Sequence, residues 1–80
     1  MTEHTVTSYE DELKFIVRRI SEMGGQAERM VEQSVAALMR SDWDLAQSVV
    51  ADDALLDAAQ RDLDERAIRT IAKRQPMAVD

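Results

Sequence analysis

The sequence predicts an all-α protein, a long antiparallel helical hairpin. Three observations predict it. Apolar residues recur three and four apart through two long runs. One short polar break, Ser41-Asp42-Trp43-Asp44, separates the runs. Acidic and basic side chains are sorted along the second run as a helix dipole would sort them. No stretch of useful length alternates apolar and polar residues as a half-buried strand would.

The first helix is expected to start at Ser8, a polar cap followed by the acidic turn Tyr9-Glu10-Asp11-Glu12. Residues 1–7 then form a flexible N-terminal tail, which carries the single histidine, His4. The seam runs Leu13, Ile16, Ile20, Met23, Ala27 and Met30, close to a 3.5-residue period. Gly24-Gly25 costs about 1 kcal/mol per glycine relative to alanine. The apolar phase survives across the pair, so one continuous helix is expected. The missing side chains would let a neighbouring helix approach closely. Met23, Met30 and Met39 share helical spacing and read as core.

Ser41 followed by Asp44 resembles a capping box and is expected to start the second helix. Trp43 is expected to staple the turn, or else to dock a partner. The second seam runs Leu45, Val49, Leu56, Leu63, Ala67 and Ile71, with polar Asp53 and Gln60 filling the gaps in core phase. Pro76 is expected to stop the helix, because Gln75 before it is biased away from helical angles. Eight acids and one base lie between Asp42 and Glu65, and four bases and no acid between Arg66 and Arg74.

Two helices of about 30 residues would span about 45 Å. A bare hairpin leaves much of each apolar stripe wet, so a third helix or another copy must cover it. The chain has 80 residues, a formal charge of −6 and no cysteine, so no disulfide or thiolate metal site can staple it. The balance argues against a nucleic-acid-coating protein, which needs a clustered basic face. No apolar run approaches the roughly 20 residues of a membrane span, so no direct membrane insertion is expected. No secretory signal is visible, and a cytoplasmic chain is the default.

Several stretches resemble the N-terminal part of the PhoU family. They are Tyr9-Glu10-Asp11-Glu12-Leu13, Met23-Gly24-Gly25, Val31-Glu32-Gln33, Ala36-Ala37-Leu38, Asp44-Leu45-Ala46 and Val49-Val50. Asp53 with Leu56-Asp57 follows. The most specific is Ile71-Ala72-Lys73-Arg74-Gln75-Pro76-Met77-Ala78-Val79-Asp80. The resemblance implies an all-helical fold of three-helix-bundle repeats. Residues 8–80 would supply the first two helices of an incomplete repeat, and the sequence is expected to be a fragment.

The resemblance also implies a function. Family members are cytoplasmic negative regulators of phosphate uptake and of the phosphate-starvation response, and are often dimeric. They couple the ATPase subunit of a phosphate ABC transporter to a sensor histidine kinase. Some bind metal clusters, of iron or zinc, through Asp/Glu-x-x-x-Asp motifs. Asp53-x-x-x-Asp57 fits that motif.

The spacing itself places Asp53 and Asp57 on one helical face, about 6 Å apart at Cβ. Oxygen ligands suit hard cations. A solvated acidic turn, with Asp57 paired to Arg61, explains the same residues. Hairpin register brings Glu28 level with Asp53, as a third oxygen ligand or a solvated acid. Gln60-x-x-x-Asp64 lacks the first charge, which weakens any case for metal there. Arg66, Arg69, Lys73 and Arg74 could complement the helix dipole, or form an anion site or partner surface. No catalytic constellation is present, so a non-enzymatic adaptor is expected. The alternative is a helical oligomerisation module without regulatory chemistry.

Overall fold

A computed structural model of the chain describes the backbone of residues 2–79 and the side chains of residues 8–73. Two helices fill it, α1 (Thr2–Arg40) and α2 (Trp43–Val79). They pack side by side as an antiparallel hairpin 59 Å long. Its all-helical, two-element architecture is the one that the apolar spacing predicts.

Both helices outrun their expected ends. α1 begins at Thr2, upstream of Ser8, so residues 2–7 continue the helix and the expected tail is not set apart from it. No glycine or proline lies in 2–8, and a formed helix adds a hydrogen bond for each residue it gains. α2 runs through Pro76 to Val79. Proline deletes one donor, the bond to the Ala72 carbonyl, and here it does so near the helix end. The side chains of His4, Arg74 and Asp80 lie outside the described residues.

α1 passes through Gly24-Gly25 without interruption, as expected. Close approach of α2 is not the reason for the glycines. A Cβ at Gly24 would meet nothing within 4 Å, and one at Gly25 would meet only Arg29 Nη1 at 3.6 Å.

The turn is built differently from the expected box. Ser41 takes a φ of 50° and ends α1. Its amide donates to the Leu38 carbonyl at 3.4 Å, and the Asp42 amide donates to Ala37 at 2.9 Å. Together these form the paired closure of a helix whose next residue is left-handed. Asp42, not Ser41, then caps α2. Its Oδ1 accepts the Leu45 amide at 3.0 Å, and its carbonyl accepts the Ala46 amide at 3.1 Å. A residue held at positive φ for one helix cannot take the extended angles that a cap of the next requires.

Among the described residues, Ile16, Met30, Ala37 and Leu63 are the buried apolar side chains. The inter-helix seam of α1 shares Ile16, Met23, Ala27 and Met30 with the expected one. It also takes in Glu12, Arg19, Gln26, Gln33 and Ala37, while Leu13 and Ile20 are exposed. On α2 the gaps between Val49, Leu56 and Leu63 are filled by Asp52 and Ala59. Asp53 and Gln60 are exposed, and so is Ile71. A heptad seam steps by three and by four, and a sequence with apolar residues on both candidate lines does not say which step comes first.

Candidate functional site

This choice of seam divides the hairpin into an apolar side and a polar side. The apolar side carries Leu13, Val17, Ile20, Val31, Val35 and Leu38 of α1, all exposed. Val50, Ile68 and Ile71 of α2 are exposed as well. Val31 is 65% and Leu38 81% exposed, values that a finished core does not tolerate over a continuous stripe. Between the helices runs a groove of about 560 Å³, lined by Met30, Val31, Val35, Val50, Asp53 and Leu56. A second groove of about 490 Å³ at the turn end includes Leu38, Trp43, Ala46 and Val49. Trp43 is 72% exposed, so it does not staple the turn; it borders this groove.

Asp53 is the acid that lines the apolar groove. Asp57 lies one turn further along the same face, as the four-residue spacing requires. Both are exposed. Glu28 does not join them. Met30 is buried in the seam, and a residue two positions away sits about 200° around the helix. The register that brings Glu28 level with Asp53 therefore leaves it on the far side of α1, exposed. Among the described residues no group of three or more His, Cys, Asp or Glu side chains could hold a metal ion. Asp53 and Asp57 are two carboxylates with at most four oxygen donors, short of the six or so that a hard cation takes.

The cross-helix chemistry lies in the seam, at the end remote from the turn. The Arg66 guanidinium donates from Nε to Glu12 Oε1, and from Nη2 to Oε2 at 3.4 Å. Its carbon lies 3.9 Å from the centre of the Phe15 ring, so one cation is held by a carboxylate and an aromatic face. The hydrogen bond from Arg66 holds the Glu12 carboxyl below its ordinary range. Desolvation is the next largest effect and opposes this, while the charges of Arg66, Lys73 and Arg69 reinforce it to a smaller extent. Glu12 in turn raises Arg66. Thr70, buried beneath, donates its hydroxyl to the Arg66 carbonyl at 2.9 Å. Asp62, four residues before Arg66 on α2, acts on it only through its charge. The partner is Glu12, 54 positions away, and periodicity within one helix carries no signal for it.

The family model described as PhoU domain matches residues 20–80. The chain belongs to the PhoU family. It is 58% identical over 77 residues to a phosphate-specific transport system accessory protein PhoU homolog of Rhizobium meliloti. That match covers 96% of this chain and 32% of the relative. A homolog of the same description from Caulobacter vibrioides is 51% identical over the whole chain, covering 35% of its own length. The accessory protein PhoU of Escherichia coli is 32% identical, again over the whole chain and 33% of the relative. The chain thus spans about a third of the length of these curated PhoU relatives. No solved structure matches it. Among the described residues no helix is long and apolar enough to cross a membrane.

Proposed function

We infer that this chain is the first helical hairpin of a PhoU-type regulator of phosphate transport. It acts as a cytoplasmic, non-enzymatic adaptor in a homo-oligomer. It couples the ATPase subunit of a phosphate ABC transporter to a sensor histidine kinase and holds the phosphate-starvation response off. The observation that carries this reading is the match to PhoU accessory proteins along nearly the whole chain. The uncovered apolar side supports it, because an adaptor repeat needs a further helix on that side. Deleting the gene and measuring alkaline phosphatase in phosphate-replete cells tests it. Derepression is expected, and unchanged repression contradicts it.

Asp53 and Asp57 contribute oxygen ligands to an iron or zinc cluster in the intact protein, with the remaining donors on residues beyond these 80. Asp53 borders the groove where such a partner helix would lie. Metal analysis of the intact protein carrying Asp53→Ala and Asp57→Ala tests this. Unchanged metal content removes the assignment.

The open apolar side also fits a second reading, a helical oligomerisation module. Sedimentation of the 80-residue chain, read together with the phosphatase assay after gene deletion, separates the two. A folded dimer or tetramer, together with unchanged phosphate regulation after gene deletion, favours the module.

A further inference from the structure

The basic cluster of α2 does not complement the helix dipole. That interaction fades within the last turn of a helix. α2 ends at Val79, and its last turn contains no basic residue among those described. Arg66 and Arg69 lie more than two turns before that end. Another cause must account for their placement.

Arg66, Arg69 and Lys73 fall three and four positions apart, on one stripe of α2. With Glu12 and Thr70 they line a single cleft of about 170 Å³. Like charges on adjacent turns repel. Glu12 is ion-paired to Arg66 and also acts through its charge on Lys73 and Arg69. Arg69 and Lys73 have no ion-pair partner among the described residues. Asp62 interacts with Arg66 from the preceding turn but does not line the cleft. With three bases and one acid, the cleft walls carry a net charge of +2 in a chain whose formal charge is −6.

The volume narrows the ligand. Pockets for organic molecules run to about 300–1,000 Å³. This cleft is smaller and suits one compact ion. Guanidinium and ammonium donors together match the oxygens of a tetrahedral anion. We propose that the cleft is a binding site for a doubly charged tetrahedral oxyanion, held by Arg69, Lys73 and the edge of Arg66 not used by Glu12. This proposal is independent of the adaptor reading.

The test is titration of the chain with sodium sulfate, sodium phosphate and, at matched ionic strength, sodium chloride. Calorimetry and amide NMR shifts report binding, and circular dichroism confirms that each variant keeps its helices. Saturable binding of sulfate or phosphate is expected, with shifts centred on residues 66–73 and none with chloride. The double variant Arg69→Gln/Lys73→Gln should weaken binding at least about tenfold. Arg40→Gln, at the turn end, should leave it unchanged. An equal response to chloride, no saturation in a helical chain, or undiminished binding by the double variant overturns the proposal.

Discussion

Glu12 of α1 and Arg66 of α2 form the ion pair that joins the two helices among the described residues. Phe15, three residues on from Glu12, stacks beneath the same guanidinium. The pair fixes the register at the end of the hairpin remote from the turn. Glu12→Gln should lower the melting temperature at neutral pH, and Arg66→Gln should lower it further by also removing the ring contact. The double variant should lose less than the sum of the two, as coupled residues do.

The same pair sets an acid dependence. Glu12 titrates lower in the folded chain than its ordinary 4.5, so between the two values the unfolded chain binds more protons. Its contribution is fully present above about 4.5 and is lost as pH falls through the folded value. Melting curves taken from neutral pH downward should show wild type and Glu12→Gln converging below 4.5. Curves that stay parallel throughout would show that Glu12 does not supply the difference.

Much of the fold was legible because helix-forming patterns are local. The two runs, their polar break and the continuity across Gly24-Gly25 all follow from spacing along one chain. What spacing does not show is which face of each helix meets the other. Ile16 and Met30 belong to either face, since both apolar lines pass through them. The choice fell to the line containing Glu12, Arg19 and Gln26, where Glu12 finds Arg66. That choice exposed Asp53 and Gln60 and left Leu13 and Ile20 on the open side. Asp53 and Asp57 share one face because they lie four apart in one helix. Glu28 is level with Asp53 but on the far side of α1, a distinction that register along the chain does not carry.

Gly24 faces open space, so its lack of a side chain is a cost to the hairpin without a local return. Gly24→Ala in the 80-residue chain should stabilise it by about 1 kcal/mol in urea unfolding. A loss of stability would mean that something already packs against that position.

The turn residues divide into one strained and one capping position. Ser41→Gly should relieve the positive φ and stabilise the hairpin by about 1 kcal/mol. Asp42→Ala should remove the bond to the Leu45 amide and cost about 1 kcal/mol. Thermal melts of the two variants should therefore move in opposite directions. If Ser41 were the cap, Ser41→Ala would be the damaging change and Asp42→Ala nearly silent.

On the adaptor reading proposed above, the open apolar side of this hairpin is where the further helix of a PhoU-type regulator packs. Val31 and Val35 sit on that side, exposed and away from the inter-helix seam. The direct measurement is alkaline phosphatase activity in phosphate-replete cells whose intact gene carries Val31→Glu and Val35→Glu. Arg29→Gln, exposed and about 160° around α1 from Val31, serves as the comparison. Derepression is expected with the valine variant and normal repression with Arg29→Gln. Full repression by a stably expressed valine variant would contradict it.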